Sequence, residues 1–360
     1  MHALDSFISK GRALVYTTRG ERDNEELIET VHSGALSMVD GNGQELFSLG
    51  DSQQLVHARS TLKAFQLLPL VISGAAEKYN LDEKELALMQ SSHDGSDKHV
   101  DGIRHIMEKV GLSESELLCG AHWPSNRETL KRMALNHEKP SVMHNNCSGK
   151  HVGMLVACKH NNWPLADYVN EKHPLQRLIM TTTAQLADME VNDIILARDG
   201  CSAPTLILPL KKLARLYSRL ANPQPLLDLS LQKALRRIFH CATHHPELIG
   251  GVGRLDTLLM QALPHELHAK TGADGGFALA IAPTKKFPAG LGVAIKIFDG
   301  DFSHLARTIT TSQLLQDLGL LSTERKEWPA GLQKIAGLER LNVAGLKVGN
   351  IHAAFSCIME

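Results

Sequence analysis

The sequence predicts an α+β fold, in which an antiparallel sheet built from both chain ends packs beside a helical middle region. Strand patterns with turn residues occur before residue 50 and again after residue 275, whereas helical periodicity prevails from about 60 to 265. No Pro/Ser-rich linker and no internal repeat interrupts the 360 residues. We therefore expect one domain over residues 1–360, with a helical subdomain at about 60–265.

The first predicted element is a pair of strands at residues 12–18 and 34–39. The sequence Asp-Gly-Asn-Gly at 40–43 then precedes a third apolar segment at 44–49. Asp-Gly and Asn-Gly pairs between such segments are typical of a β-hairpin turn. The chain therefore opens with an antiparallel sheet.

Helices are predicted next. Val100, Ile103, Met107 and Val110 recur at helical spacing, and Gly111 follows them as a stop signal. Further along, Ser125 with Glu128 predicts a capping box at the start of another helix.

Strands return at 276–281 and 292–297, joined by a loop that contains two prolines and a glycine. A helix is predicted at about 303–318. This second hairpin is expected to close the sheet that the N-terminal strands begin.

Composition excludes several classes of protein. The chain is 43% apolar and 21% charged, which is too apolar for a disordered protein. Its 38 basic and 39 acidic residues argue against nucleic-acid binding through overall charge. Residues 1–5 lack the basic, then apolar pattern of a signal peptide, and no segment is apolar enough to span a membrane. We expect a cytoplasmic protein whose scattered cysteines are thiols or metal ligands.

Ser60 and Lys63 form the first candidate for chemistry. They lie three residues apart at a predicted helix start, which would place the hydroxyl and the amine on one face. This is the S-x-x-K arrangement, in which a lysine can take the serine proton when burial or a neighbouring cation favours its neutral form. The plainer interpretation is that Ser60 caps a surface helix.

A second lysine supports the catalytic interpretation. The segment Lys-Thr-Gly at 270–272 lies just before the predicted strand at 276, as the K-T-G motif does in serine β-lactamases and penicillin-binding proteins. Two neighbouring lysines would lower each other's pKa. The S-D-N motif of those enzymes is absent. The loop at 91–95, Ser-Ser-His-Asp-Gly, could replace it or could be a capped helical turn.

Two further segments are candidate sites. Cys147 and Cys201 lie in polar, glycine-containing segments, unlike Cys158, which lies in an apolar helical stretch typical of a core. A zinc site on the two cysteines needs more ligands, and His144, His151, Lys150 or water are all available. The glycine-rich segment at 250–257 lacks the pattern of a dinucleotide loop and is interpreted as a structural turn before a helix.

Taken together, these segments resemble the bacterial asparaginase family typified by the inducible rhizobial enzyme. The resemblance extends from about residue 10 to residue 355. Its most specific parts are the segments at 59–63, 91–93, 144–151, 198–201 and 250–257. That family is similar in fold to glutaminases and serine β-lactamases, which agrees with the two-ended sheet and the helical middle.

The resemblance implies an amidohydrolase that converts L-asparagine to L-aspartate and ammonia through a serine ester. It also implies a homodimer and one zinc ion per chain. The residues implied are the nucleophile Ser60 with its partner Lys63, a second pair formed by Ser92 and Lys270, and the zinc ligands Cys147, Lys150 and Cys201. Lys150 must be neutral to bind zinc, because an ammonium group has no lone pair.

Arg59 and Asp199 are our candidates for binding the substrate, because a free amino acid presents one carboxylate and one ammonium group. Two other functions stay open. One is a penicillin-binding or β-lactamase-like serine enzyme, favoured by Thr271, where the asparaginase family is expected to vary. The other is a non-catalytic, zinc-stabilised protein that binds amino acids. The sequence does not decide between asparagine and glutamine, or which lysine is the base.

Overall fold

The computed structural model describes residues 8–223 and 228–357, so the signal-peptide interpretation of residues 1–5 lies outside it. Its strands are β1 Arg12–Arg22, β2 Glu25–Asp40, β3 Glu45–Leu49, β4 Leu55–His57, β5 Ile195–Arg198, β6 Pro204–Pro209, β7 Leu267–Thr271, β8 Gly276–Ile281, β9 Leu291–Ile297, β10 Glu339–Leu341 and β11 Lys347–Ala353. Its α-helices are α1 Lys63–Gln66, α2 Leu68–Ile72, α3 Ala75–Lys78, α4 Glu83–Leu88, α5 Asp97–Val110, α6 Arg127–Leu135, α7 Ser148–His160, α8 Pro174–Leu186, α9 Leu210–Ala221, α10 Leu229–His244, α11 Pro246–Ile249, α12 Leu255–Ala262, α13 Leu305–Asp317 and α14 Ala330–Ile335.

The main sheet joins the two ends of the chain, as predicted. In the described residues it has eight strands in the order β10-β11-β1-β2-β9-β8-β7, with β3 on β2. Every pairing is antiparallel, and the join between the two ends is β2 with β9. All six residues of β8 are buried, so both faces of the sheet are covered at its centre. The α+β fold class is therefore confirmed.

The helical middle region contains strands that the sequence analysis did not predict. Strands β5 and β6 fall within 60–265 and pair with β4 in a separate three-stranded sheet. They are four and six residues long, and apolar runs of that length do not distinguish a strand from a helix by periodicity. Strand β7 was also missed, and Lys270, which was predicted to lie just before the strand at 276, is part of it.

Of the turns and helix caps predicted from local sequence, some are confirmed by the structure and one is wrong. The predicted turn at 40–43 joins β2 to β3, where the Asp40 carboxylate accepts hydrogen bonds from the backbone N–H groups of Asn42 and Gln44. Helix α5 ends at Gly111 in the left-handed region, as predicted. The capping box was wrong, because Asn126 rather than Ser125 caps α6 and accepts a hydrogen bond from the Thr129 N–H at 3.0 Å.

Helix α7 is the central helix of the helical region. Its residues from Ser148 to Cys158 are all buried, which agrees with the core position predicted for Cys158. Gly149 allows the start of this helix to approach the end of α4, since a Cβ there would lie 2.2 Å from the Leu88 carbonyl oxygen. A buried helix without a polar face can hold functional groups at a fixed position.

Helix α9 packs against β2, β8 and β9, and α12 packs against β7. These contacts fix the edge of the main sheet that carries Lys270. In the part of the chain that the structure describes, no helix combines the length and the apolar character needed to cross a bilayer. The division into a sheet region and a helical subdomain at about 60–265 stays a prediction.

Gly292→Ala is predicted to destabilise the fold, because a Cβ on this residue of β9 would lie 2.0 Å from the Ala214 carbonyl oxygen and 2.1 Å from the Ser218 nitrogen of α9. Backbone atoms cannot yield as a side chain does, so we expect a loss of about 1–3 kcal/mol or more. Thermal melting measures it. Gly337→Ala is the control, since its nearest neighbour would be 3.8 Å away, and equal melting temperatures for the two variants would contradict this account of the packing.

Candidate active site

Ser60 lies in a short 3-10 helix, Arg59–Leu62, that leads directly into α1. It lines a cavity of about 280 Å³ together with Ser92 and Thr271. Its hydroxyl has no hydrogen-bond partner among the described residues, and the residue at the helix N-cap is Ala58. The interpretation of Ser60 as a helix cap is therefore wrong, and its hydroxyl is free to meet a ligand in the cavity.

Arg59 holds the entry to this helix in an unusual conformation. Its φ is 49°, in the left-handed region that residues with a side chain rarely adopt. Its N–H donates to Thr205 Oγ1 at 2.9 Å, and its guanidinium donates to Asp199 at 2.6 Å and to Asp274. Contacts on three sides hold the strained backbone in place. The structure thus pairs Arg59 and Asp199 with each other, although the sequence analysis assigned them to separate groups of the substrate.

Lys63 is 1% exposed and points away from solvent. Its Nζ donates to Ser92 Oγ at 2.9 Å and to the carbonyl oxygens of Ser91 at 2.6 Å and Asn146 at 3.1 Å. It makes no hydrogen bond to Ser60. The pair predicted from the S-x-x-K spacing is therefore close along the chain, but the hydroxyl in direct contact with Lys63 belongs to Ser92.

Ser92 joins the two lysines. Lys270 is also 1% exposed, and its Nζ donates to Ser92 Oγ at 2.8 Å and to the Thr271 carbonyl oxygen at 3.1 Å. The Ser92 hydroxyl therefore lies between two amines that the sequence places 207 positions apart. A hydroxyl in this position can accept a proton from one amine while it gives its own to the other.

The loop that carries Ser92 is fixed at both sides. It connects α4 to α5, as predicted, and the Ser92 N–H donates to the Ile249 carbonyl oxygen at 2.8 Å. His93 Nδ1 accepts from the Gly95 N–H at 3.1 Å, so its Nε2 carries the hydrogen and donates to Ser148 Oγ at 2.9 Å. The loop is thereby attached to the start of α7.

Burial lowers the pKa of both lysines, because an ammonium group loses its hydration. For Lys270 the desolvation outweighs the opposing charge of Asp256, and repulsion from Lys63 adds to it, so the pKa falls to about 7. A lysine with this pKa can both accept and release a proton near neutrality.

The predicted zinc ligands lie together beside this network. Lys150 Nζ is 2.9 Å from Cys201 Sγ, and Cys147 interacts with Cys201 and with Lys63. Cys147 lies at the start of α7 and Cys201 in the turn after β5, and both are buried. Two sulfur donors and one nitrogen donor form a set that zinc accepts, so the residues fit the metal.

The cysteine and lysine side chains of this cluster stabilise each other's charged forms. The hydrogen bond to Cys201 lowers the pKa of Cys147 well below its usual value, and the ammonium groups of Lys63 and Lys150 add to this effect against the burial of the thiol. Burial opposes the charge of Lys150, but the two thiols outweigh it and raise its pKa. A metal held here would have to displace a proton from Lys150. In residues 8–223 and 228–357, no three side chains of the His, Cys, Asp and Glu types are grouped to hold a metal, so the set depends on the lysine.

Three residues of the site were missed by the sequence analysis. Asp256 is buried beside Lys270, Arg254 lines the cavity, and Asn146 provides a carbonyl oxygen to Lys63. Arg254 and Asp256 belong to the glycine-rich segment that was interpreted as a structural turn before a helix. That turn is present, but it also carries these two charged side chains to the site. The charges of Arg254 and Asp256 were the feature of the sequence that could have marked them as site residues. No spacing rule connected them to Lys270.

A larger groove of about 570 Å³ lies elsewhere, beside Arg198 and Ser202. Neither Ser60 nor Ser92 lines it. The smaller cavity is lined by Ser60 and by Ser92, whose hydroxyl binds the two buried amines, and we therefore take it as the candidate active site.

Solved structures similar to this chain include two glutaminases and a carbapenemase. A covalent complex of the Bacillus subtilis glutaminase YbgJ with 5-oxo-L-norleucine is 13% identical, with 80% of this chain and 89% of that chain covered and a TM-score of 0.39. A Bacillus glutaminase in 4.3 M NaCl is 10% identical, with 89% and 96% covered and a TM-score of 0.41. The carbapenemase VCC-1 from Vibrio cholerae is 14% identical, with 85% and 97% covered and a TM-score of 0.31.

The comparison with curated proteins found no match. The comparison with family models matched the family described as L-asparaginase II, over residues 18–353. This range contains the cavity, every residue of the site and both sheets apart from residues 12–17 of β1. The chain therefore belongs to the L-asparaginase II family.

Proposed function

We propose that the protein hydrolyses L-asparagine to L-aspartate and ammonia through an ester on Ser60. Membership of the L-asparaginase II family makes it an amidohydrolase of the asparaginase and glutaminase kind. The observation that carries the serine mechanism is the hydroxyl of Ser92, held between the amines of Lys63 and Lys270 at 2.9 and 2.8 Å beside a cavity that Ser60 lines. Ammonia release from asparagine by the purified protein tests the activity.

In the acylation step, Lys63 in its neutral form takes the proton of the Ser60 hydroxyl, whose oxygen attacks the side-chain amide carbon. The C–N bond of the amide then breaks, and the stored proton goes to the departing nitrogen, which leaves as ammonia. Substrate binding has to bring Ser60 and Lys63 into contact, as catalytic hydrogen bonds often tighten only in the complex. Water then attacks the ester in the same way and releases aspartate.

Ser92 lets the two lysines share one proton. When Lys270 has lost its proton, Ser92 can pass one from Lys63 to Lys270, which leaves a lone pair on Lys63 beside the nucleophile. The network cannot accept the Ser60 proton while both lysines are protonated. Since the pKa of Lys270 is about 7, the active form accumulates as pH rises through neutrality and is lost as pH falls below it.

Asp199 stays our candidate for the α-ammonium group of the substrate, whereas Arg59, the sequence candidate for the α-carboxylate, is already bound to Asp199 and Asp274. Asp199 is held by Arg59 through its Oδ1, which also accepts the Gly200 N–H at 2.7 Å. Its second oxygen has no such partner among the described residues and is the one that would accept from an ammonium group.

Zinc, a homodimer and a cytoplasmic location complete the proposal. Cys147, Lys150 and Cys201 would hold one zinc ion per chain, which when bound would orient the substrate and organise the surrounding loops. Ser60, Lys63 and Ser92 handle the proton and the covalent step.

One observation favours a second function. The Lys-Thr-Gly segment ends β7 at the cavity, with Lys270 bound to Ser92 and with Thr271 and Gly272 in the lining. This is the placement that a penicillin-binding or β-lactamase-like serine enzyme needs. Labelled penicillin separates the two functions, since only that alternative gives a labelled Ser60. Ammonia release from glutamine, compared with asparagine, defines the substrate, because one methylene is worth only about 1–3 kcal/mol in a pocket.

Ser60→Ala is predicted to abolish ammonia release and to leave the melting temperature nearly unchanged, because its hydroxyl has no hydrogen-bond partner in residues 8–223 and 228–357. Both quantities are measured on the same preparation. Ser230→Ala, at an exposed serine, is the control and should keep full activity. Turnover near the wild-type rate in Ser60→Ala would remove this residue from the mechanism.

The purified protein is predicted to contain about one zinc per chain, and Cys201→Ala should lose it. Lys150→Met should weaken zinc binding with less effect on melting temperature. Zinc affinity should also fall as pH falls, since both thiols and the lysine must give up protons to bind the metal. Elemental analysis at several pH values measures this. Cys158→Ala is the control, because it removes a buried thiol from α7, the helix that carries Lys150, and should leave zinc binding unchanged. A wild type that binds no zinc would refute the site.

A further inference from the structure

Asp256 is a carboxylate buried next to the lysine network. It lies in the first turn of α12 and is 1% exposed. Its Oδ1 accepts the Thr271 N–H at 2.5 Å, its Oδ2 accepts the Thr271 hydroxyl at 2.6 Å, and its Oδ1 is 3.9 Å from Lys270 Nζ. A charge buried this deeply persists only with partners of opposite charge or hydrogen-bond donors.

The two lysines that bind Ser92 differ in whether a carboxylate lies close to the amine. Within 4 Å of Lys63 Nζ the described residues provide backbone carbonyl oxygens and a hydroxyl but no carboxylate. Lys270 has the carboxylate of Asp256. The free energy of the shared proton therefore differs between the two amines, because Cys147 favours the charge of Lys63 and Asp256 favours the charge of Lys270.

We infer that Asp256 is a positioning residue, which fixes the end of β7 through Thr271 and sets the pH at which Lys270 releases its proton. The inference rests on the proposed function, because it concerns the proton that the serine mechanism requires. The hydrogen bonds to Thr271 place the neighbouring Lys270 against Ser92. The negative charge favours the ammonium form of Lys270 over the neutral amine.

The other charged groups around Lys270 come from three elements. Lys63 on α1 and Arg254 at the start of α12 disfavour its charge, and Cys147 at the start of α7 favours it. Asp256 itself stays ionised: burial opposes its charge, but Lys270, Arg254 and the Thr271 hydrogen bonds outweigh burial and lower its pKa. Asp256 is thus the carboxylate that keeps the pKa of Lys270 from falling further below about 7.

Asp256→Asn tests the charge without removing the contacts. An asparagine has the same shape, and it can accept the Thr271 N–H and donate to the Thr271 hydroxyl. Because the favourable charge is gone, Lys270 becomes neutral at lower pH. The rising limb of kcat against pH, expected near pH 7 in the wild type, should move down by about one to three pH units.

Thr271→Val is the matched control. It removes the hydrogen bond to Oδ2 but keeps the charge of Asp256, so the rate can fall while the limb stays in place. An unmoved limb in Asp256→Asn, or an equal movement in Thr271→Val, would overturn the inference. A wild type that releases no ammonia would instead overturn the proposed function and this inference with it. If Asp256→Asn does not fold, Asp256→Ser also lacks the charge and replaces it.

Arg254 gives a second, independent inference about the same cavity. It lines the cavity with Ser60 and Ser92, and among the described residues its guanidinium has no hydrogen bond and no ion pair within 4 Å. The other two arginines of the site are occupied: Arg59 binds two carboxylates, and Arg307 binds Asp301 at 2.7 Å. An unpaired guanidinium in a cavity is a ready site for a carboxylate.

The geometry points to Arg254 as the group that binds the α-carboxylate of the amino-acid substrate. This inference also rests on the proposed function, and it assigns to Arg254 the role predicted from the sequence for Arg59. The position follows from the fold, since Arg254 lies at the start of α12, two residues before Asp256, whose carboxylate binds Thr271 in the cavity lining.

The test compares two amides in the wild type and in Arg254→Gln. L-Asparagine has the α-carboxylate, and 3-aminopropanamide is the same molecule without it. We expect kcat/KM for asparagine to fall roughly 10- to 100-fold, mainly through KM, while 3-aminopropanamide is unaffected. If the wild type does not turn over 3-aminopropanamide, its inhibition of asparagine hydrolysis is measured instead.

Arg254→Lys should recover part of the loss, because it restores the charge without the two-pronged hydrogen bond. An equal loss for both compounds would overturn the assignment, since it would mean that Arg254 supports the cavity in general. No activity of the wild type on asparagine would overturn the proposed function itself, which is a different outcome from an equal loss.

Discussion

The hydroxyl of Ser92 holds two buried ammonium groups together, and the surrounding structure offsets the cost of that contact. Lys63 and Lys270 are each 1% exposed and approach Ser92 Oγ to 2.9 and 2.8 Å. Such a contact is unfavourable twice, once through lost hydration and once through repulsion between like charges. Two backbone carbonyl oxygens and the sulfur of Cys147 compensate Lys63, and the carboxylate of Asp256 compensates Lys270. The same costs make one of the two protons easy to remove, which is what a serine amidohydrolase needs from its base.

Each part of this network comes from a different element, so the contact depends on the packing of the whole domain. Lys63 lies on α1, Ser92 on the loop before α5, Asp256 on α12 and Lys270 on the edge strand β7. Helix α9 and the glycine at 292 fix the sheet, and the buried helix α7 fixes the Ser92 loop through His93. A shift of β7 by a few tenths of an ångström would lengthen the hydrogen bond to Ser92. Residues far from the cavity therefore influence its chemistry through position alone.

The parts of the structure that could be predicted from the sequence are those with local signals. The turn at 40–43, the helix that ends at Gly111 and the pair β8–β9 depend on residues near each other in the chain, and each was predicted. Strands β5 and β6 were missed because short apolar runs have no distinctive period. The association of Arg59 with Asp199 and of Asp256 with Lys270 depends on chain folding over 140 and 14 positions, and no local pattern encodes it. The site residues named from the sequence came from spacing and from family resemblance, whereas their pairing required coordinates.

The thiol cluster and the lysine network share a boundary, and their charges are linked. Cys147 lies at the N-terminal end of α7, where the helix dipole favours negative charge, and it interacts with Lys63 as well as with Cys201. Three buried ammonium groups in this region are compensated by the carboxylates of Asp256 and Asp199 and by the cysteine sulfurs. Replacing Cys147 would remove negative charge next to Lys63 even where no metal ligand contacts the substrate. A loss of turnover in such a variant therefore has two physical origins. One is the loss of a metal that takes part in substrate binding, and the other is the loss of the electrostatic support that the thiols give to the lysines. Measuring zinc content and turnover rate for each variant separates the two.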